Sequence, residues 1–328
     1  MTDVDIVRSV AQFVSDKQFL FFAPVATVWR DAWKGGGRPP MTNCITSDST
    51  VPQLLYSFEC GLPSNGFDIC RSIALGGNLR LLQCARQKGF SWGYGVCNLA
   101  AKGGHLAMLQ WAAANGCPWE HRQVCNHAAL GGHPAVLEWV RASGLPWGAS
   151  ICSHAAEGGH LDVLRLVREN GCPWDEDTCP YAAWRGHLGV LIWAREHGCP
   201  WDERTCHAAA SGGHLGILKW AREHGCPWDE NTCYFAAREG NLSVLLWAHE
   251  NGCLWDEATC AAAADGGHLK VLQSVRECGC PWDEETCLRA ARRGRLAVLQ
   301  WARDNDCPWD EETCPAAARE GHMGVLKW

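Results

Sequence analysis

The sequence lacks any apolar run long enough to cross a bilayer, and it lacks an excess of positive charge. Its longest uncharged apolar stretch, residues 19–29, falls far short of the roughly 20 residues that a membrane-spanning helix needs. The 29 Lys and Arg residues are outnumbered by 36 Asp and Glu residues, for a net charge of -7, so nothing attracts nucleic acid or anionic lipid in general. Asp3 and Asp5 stand where a signal peptide would carry cationic residues. We therefore expect a protein of the cytoplasm or nucleus that is not secreted and binds neither nucleic acid nor membranes.

Methionine and tyrosine are scarce, with four residues each, whereas the 328 residues include 21 Cys and 19 Trp. Such an imbalance is typical of one short segment that has been copied many times. An odd number of cysteines in a chain without signs of secretion favours reduced thiols over a disulfide framework. The hydrophobic share of 47% is sufficient for a core and excludes wholesale disorder.

Tryptophan recurs every 27 residues along most of the chain, and we call this series the loop Trp column. Its members are Trp92, Trp119, Trp147, Trp174, Trp201, Trp228, Trp255, Trp282 and Trp309. Each interval holds an Ala-rich segment such as residues 205–210, a Gly turn, and then apolar residues spaced by three or four. This pattern predicts two short helices joined by the turn. Two such helices cannot enclose a core alone, so the copies must stack on one another.

The sequence thus predicts an all-α solenoid of about ten helix-turn-helix units over residues 41–328, preceded by a small helical segment at residues 1–40. The predicted first helices begin near Ile69, Val96, Val124, Ile151, Thr178, Thr205, Thr232, Thr259, Thr286 and Thr313.

The pattern Ala-Ala-x-x-Gly-His-Leu-x-Val/Ile-Leu, at residues 182–191 and 209–218, resembles the core of the ankyrin repeat over roughly residues 51–328. The unit is shorter than the 33 residues of an ankyrin repeat, and the deficit falls where Gly-Cys-Pro-Trp-Asp-Glu joins one helix pair to the next. The resemblance therefore implies a reduced β-hairpin finger. The Cys-Pro-Trp-Asp-Glu type is similar to short ankyrin-like arrays of algal and large DNA virus proteins. It implies a protein-interaction scaffold without cofactor or catalysis.

Residues that recur in every unit meet a structural need that every unit has. We expect the loop Trp column and a second column, the helix Trp column, both to form ladders between units. The helix Trp column includes Trp111, Trp139, Trp193, Trp220, Trp247, Trp301 and Trp328. A recurrent His at the turn is replaced by Asn78, Asn241 and Arg295, which indicates a hydrogen-bond donor to turn carbonyls.

The recurrent cysteines also favour a structural interpretation, as buried small apolar residues. Cys172 and Cys179 are separated by six residues, more than the two to four of a typical zinc site. We therefore predict no metal ligands. A pairing between a loop cysteine and a helix cysteine is left open.

Positions on the first helix that differ between units are the candidates for function. Two positions after the helix cysteine stand Ser72, Leu99, His127, His154, Tyr181, Ala208, Phe235, Ala262, Arg289 and Ala316. The residue three positions further on shares their helix face, and by resemblance to ankyrin arrays this face lines a concave groove that holds a partner. The predicted partner-binding residues are Tyr181, Trp184, His207, Tyr234, Phe235, Arg238, Arg289 and Arg292. Arg289, Arg292, Arg293 and Arg295 form a basic cluster that is expected to meet an acidic segment. The alternative is that all of them are merely exposed helix positions.

Val25, Trp29 and Arg30 belong to a segment that resembles the end of an F-box, which implies docking on a Skp1-like subunit of a ubiquitin ligase. A substrate-recruiting adaptor is accordingly the alternative function, and a helical cap on the first unit is the structural alternative.

An enzyme is the third hypothesis, because Cys206 stands beside His207. Adjacent residues on a helix point about 100° apart, so we predict no catalytic residues.

Overall fold

The computed structural model describes residues 67–92, 95–142, 144 and 147–328, and in them the secondary structure is entirely helical. The chain divides after Gly148 into two compact blocks. In the first block the helices are α1 (Phe67–Gly76), α2 (Leu79–Gln87), α3 (Val96–Lys102), α4 (Leu106–Ala114), α5 (His121–Gly131) and α6 (Pro134–Ala142).

The second block continues the same alternation. Its helices are α7 (Ser150–Gly158), α8 (Leu161–Glu169), α9 (Thr178–Arg185), α10 (Leu188–Glu196), α11 (Glu203–Ser211), α12 (Leu215–Glu223), α13 (Glu230–Arg238), α14 (Leu242–Glu250), α15 (Glu257–Gly266), α16 (Leu269–Glu277), α17 (Glu284–Arg292), α18 (Leu296–Asp304), α19 (Thr313–Arg319) and α20 (Met323–Lys327). Each odd-numbered helix and its successor form one repeat. The described residues thus hold ten repeats, which confirms the predicted number, and the predicted first-helix starts lie within three residues of the observed ones.

Each helix begins and ends at signals that recur in the sequence. The Asp202 side chain at the start of α11 accepts a hydrogen bond from the Arg204 backbone N–H at 3.1 Å, which satisfies one of the free amide groups of the first turn. The turn that follows α11 requires Gly213, whose φ is +74°. A Cβ at Gly212 would lie 2.3 Å from the Trp184 carbonyl oxygen, so neither glycine tolerates a side chain.

The core lies between the two helix layers and is built from small residues on the first helices. In one repeat, Cys206, Ala209 and Ala210 of α11 and Leu218 and Ala221 of α12 are fully buried. Within each block, every first helix packs on the first helix of the next repeat and on its own second helix. Serial stacking of short helix pairs is the ankyrin-like solenoid arrangement. No strand occurs in the described residues, so the β-hairpin finger, which the resemblance implied to be reduced, is absent there.

The recurrent His is a hydrogen-bond donor, as predicted, and its acceptor lies in the preceding repeat. His214 Nε2 donates to the carbonyl oxygen of Trp184 in the preceding first helix at 3.0 Å, and His105 bonds in the same way to Leu75. The replacements keep the role: Asn241 donates to the Ala210 and Ser211 carbonyls, both at 2.9 Å. These bonds close the C-terminal end of a first helix with a side chain from the following repeat.

The two Trp columns contact each other between repeats in separate pairs, rather than forming the continuous ladders expected. The pairs are Trp92–Trp111, Trp119–Trp139, Trp174–Trp193, Trp201–Trp220, Trp228–Trp247, Trp282–Trp301 and Trp309–Trp328, with ring centroids 5.8 to 6.3 Å apart. The Arg195 guanidinium lies 4.1 Å from the Trp201 ring centroid, and it also donates to the Cys199 carbonyl. One arginine therefore fixes the loop through a cation–π contact and a hydrogen bond.

Replacing His214 by Ala should lower the free energy of unfolding by about 1 kcal/mol, because the Trp184 carbonyl loses its donor. His214→Asn should retain most of the stability, since Asn241 fills the same role in the next repeat. Urea unfolding of the two variants beside the unchanged protein measures the difference. Equal losses for Ala and Asn would show that the side-chain hydrogen bond does not contribute.

Candidate partner-binding surface

The predicted residues on α9 are only partly covered by the protein. Trp184 exposes 39% of its surface, and Tyr181 is half-buried. The Arg185 guanidinium lies 3.9 Å from the Trp184 ring centroid and bonds to Glu157 Oε1 of α7 at 2.8 Å. Because Glu157 holds the same helix position as Trp184 one repeat earlier, the variable residues of successive repeats lie side by side.

His207 on α11 contacts two residues of the next repeat. Its Nε2 donates to Asp229 Oδ1 at 2.5 Å, and its ring centroid lies 5.6 Å from that of Phe235. Asp229 also accepts from the Asn231 backbone N–H at 3.0 Å and so begins α13. Burial opposes ionisation of this carboxyl, but the hydrogen bonds from Asn231 and His207 prevail and lower the pKa of Asp229.

Tyr234 and Arg289 meet across an intervening helix. Arg289 Nη1 donates to the Tyr234 hydroxyl oxygen at 3.1 Å, and Arg289 Nε donates to Glu285 Oε1 at 2.8 Å. The helix between them, α15, carries Ala261 and Ala262 at the equivalent positions, and both are fully buried. Small side chains on α15 therefore leave room for a bridge from α13 to α17.

The structure joins four predicted residues into one row of contacts. The Tyr234 and Phe235 ring centroids are 5.4 Å apart, which connects the His207 contacts on one side with the Arg289 bridge on the other. Arg238 lies beside this row, with its Nε 3.6 Å from Asp265 Oδ2 of α15. Asp265 also accepts from Arg293 Nε at 2.9 Å. This row, with Arg238 and Asp265, is named the α11–α17 surface below.

Arg292 lies beyond Arg289 at the end of this row, at a depression of about 270 Å³ between α17 and α19. The depression is lined by Arg289, Arg292, Arg319, Glu285, Glu312 and Glu320, together with Leu288 and Ala316. Arg319 is paired with Glu312 at 2.7 Å. Three acidic residues balance the three basic ones, so the lining is electrically mixed. Binding of an acidic segment here stays a prediction.

Three contributors to the surface were not predicted from the sequence. Aspartate recurs at helix starts, so the sequence did not indicate that Asp229 also binds His207. Asp265 stands in the variable column and pairs with Arg238, and Glu285 precedes Arg289 by one helical turn. The i, i+4 spacing of Glu285 and Arg289 in the sequence could have predicted this last pair. The predicted docking residues Val25, Trp29 and Arg30 lie outside the described residues.

The side chains of Cys206 and His207, on which the enzyme hypothesis depends, do not face a common site in the described residues. Cys206 is fully buried and its thiol interacts with Cys226, whereas the adjacent His207 bonds to Asp229. The two side chains therefore serve different contacts.

In the part of the chain that the structure describes, no group of three or more His, Cys, Asp or Glu residues could hold a metal ion. No helix among these residues is long and apolar enough to span a membrane.

The likeness of the chain to known proteins is weak. No protein-family model matches the chain, and no curated protein matches it. The crystal structure of the human ASB11 ankyrin repeat domain resembles it with 20% sequence identity and a TM-score of 0.39, over 48% of this chain and 84% of that chain. The ankyrin-like character of the fold rests on the stacked helix pairs, their Gly turns and the bonds from His to the preceding repeat.

Replacing Asp229 by Ala should destabilise the protein by about 1 to 2 kcal/mol at neutral pH, because α13 loses its cap and His207 its acceptor. The folded-state pKa of Asp229 is lowered, so the stability it contributes is complete above its unfolded pKa and is lost as the pH falls through the folded value. The deficit of the variant should therefore shrink below about pH 4. Urea unfolding across this pH range measures the change.

Asp256→Ala is the matched control, because Asp256 begins α15 with a capping box while the residue in the place of His207 is Tyr234, which bonds to Arg289. This variant should lose about 1 kcal/mol. Equal losses for Asp229→Ala and Asp256→Ala would show that the His207 contact does not contribute to stability.

Proposed function

We propose that the chain is a non-catalytic protein-binding module that holds its partner on the exposed face of the first helices, along α9 to α17. The observation that carries the proposal is the row of contacts from His207 through Phe235 and Tyr234 to Arg289. Residues that are not needed for stacking, and that differ between repeats, meet there. A protein surface needs such a feature only once, whereas stacking residues must recur.

The chemistry of this face suits protein recognition. Tyrosine, tryptophan and arginine are the residues that most often dominate binding energy at protein interfaces. Here they are held in place before binding: Arg289 by Glu285 and Tyr234, and Arg185 by Glu157. Because these side chains are already ordered, less conformational entropy is lost when a partner docks. The groove geometry of ankyrin arrays is the form that we propose for this face.

The proposal includes no turnover. A cysteine nucleophile needs an accessible thiolate beside a general base. Cys206 is fully buried, and its neighbour His207 is engaged with Asp229. Neither residue is placed to attack a bound substrate together with the other.

The adaptor function is the finer alternative, and it depends on the F-box-like residues Val25, Trp29 and Arg30. A pull-down with a purified Skp1-like protein tests it. Loss of the complex in a Trp29→Ala variant would support the adaptor, and absence of any complex with the unchanged chain would remove it. Residence in the cytoplasm or nucleus stays a prediction.

Replacing Trp184 by Ala should weaken partner binding by about 2 kcal/mol, or roughly 30-fold in Kd. Thermal unfolding should change little, because Trp184 is 39% exposed. The partner is first captured on the immobilised chain and identified by mass spectrometry, and its Kd is then measured for each variant. Unchanged affinity together with a lower Tm would assign Trp184 to the core.

Trp220→Ala is the matched control, because Trp220 recurs in the helix Trp column and contacts the Trp201 ring at 5.8 Å between centroids. This variant should lose stability by about 2 to 4 kcal/mol, while the folded fraction retains its affinity. If the partner binds the Trp184→Ala and Phe235→Ala variants as tightly as it binds the unchanged chain, the first-helix face is not the binding surface.

A further inference from the structure

A cysteine of the first helix and a cysteine of the loop twenty residues later lie together in seven repeats. The Sγ atoms of Cys152 and Cys172 are 3.9 Å apart in the interior. Interacting thiols with the same spacing are Cys97 with Cys117, Cys179 with Cys199, Cys206 with Cys226, Cys233 with Cys253, Cys260 with Cys280, and Cys287 with Cys307. All seven pairs are in the reduced thiol form. They are named the thiol pairs below.

The geometry allows one kind of disulfide and disfavours the others. A disulfide requires its sulfurs about 2.05 Å apart, so the 3.9 Å between Cys152 and Cys172 must close by about 1.9 Å, which is within reach of side-chain rotation. Helix cysteines of adjacent repeats are 27 residues apart, and packed helices lie about 8 to 10 Å from axis to axis. Cys172 and Cys179 are close in sequence, but each interacts with a different partner. The favoured spacing is therefore twenty residues.

We propose that the thiol pairs are oxidation sites, and that each closes to a disulfide which ties a first helix to the loop at the end of its own repeat. The oxidant is a small disulfide of the glutathione type. One thiolate attacks it to form a mixed disulfide and releases one small thiol. The second cysteine of the pair then displaces the other small thiol. Two protons and two electrons leave the protein, and the small disulfide is reduced to two thiols.

In the Cys179–Cys199 pair the oxidant reaches the loop cysteine first. Cys199 is buried, but the Gly198 and Pro200 that flank it are exposed, so opening of the loop exposes this thiol without unfolding the helix pair. The Cys179 thiol lowers the pKa of Cys199 against the effect of burial, with further help from Thr178 and the Arg195 cation. The neighbouring Cys199 thiol and burial raise the pKa of Cys179. In this pair the loop thiolate therefore forms first and attacks first.

The experiment uses the full chain in its native state. The protein is incubated with glutathione disulfide at neutral pH, with urea held below the unfolding midpoint so that loops open, and is then alkylated. Mapping of unreduced peptides by mass spectrometry should find links of twenty-residue spacing, such as Cys179 to Cys199, each with the loss of two hydrogens. The Tm should rise by several degrees and return to its starting value after dithiothreitol. Links with spacings of seven or 27 residues, or complete alkylation of the thiol pairs, would overturn the proposal.

Two variants sharpen the result. Cys199→Ser should abolish the Cys179 link and leave the other six unchanged. In the first described repeat Phe90 is fully buried and stands twenty residues after Cys70, in the place of a loop cysteine. Phe90→Cys should therefore create an eighth link, to Cys70, which the unchanged chain cannot form. Failure of Phe90→Cys to link to Cys70 in a protein that is folded by circular dichroism would contradict the spacing rule.

Discussion

The close approach of successive first helices is the constraint on which the rest of the structure depends. Alanine and cysteine occupy the buried positions of these helices, as Cys206, Ala209 and Ala210 do in α11. Because the side chains are small, a histidine from the following repeat can reach the last carbonyls of the preceding first helix, as His214 does. The same closeness excludes a Cβ at Gly212. Alanine, glycine and histidine thus recur together because they meet one requirement.

Close stacking also makes a surface out of residues that are distant in sequence. Arg238 reaches Asp265 in the next repeat, and Arg289 reaches Tyr234 two repeats away because Ala262 lies between them. A bulky residue on α15 would separate these two side chains. The identity of a residue at one variable position therefore decides which of its neighbours can meet, and the proposed binding surface is a property of several repeats at once.

Periodicity made the architecture predictable, whereas the contacts that variable residues make between repeats were not predictable. Ten helix pairs, their starts and the donor role of the recurrent His followed from the 27-residue period, because each copy repeats the same local signals. The Tyr234–Arg289 bond joins residues 55 positions apart, and no local signal encodes it. The bond from His207 to Asp229 was hidden because aspartate recurs at that position to begin helices. The sequence left the pairing of loop and helix cysteines open, because a separation of twenty residues spans both helices and the turn.

The thiol pairs limit the rule that recurrent residues serve only the fold. The rule fits the Trp and His columns, whose recurring contacts join neighbouring repeats. The cysteines also pack as small apolar residues, but their paired sulfurs retain a chemistry that packing does not use. In a fold whose stability is a sum over repeats and their neighbours, a modification that recurs in seven repeats has an additive effect. Repetition can therefore multiply a weak local change, whereas a binding surface gains from variation between the copies. One array can combine both, because the thiol pairs lie in the interior while the α11–α17 surface is partly open to solvent.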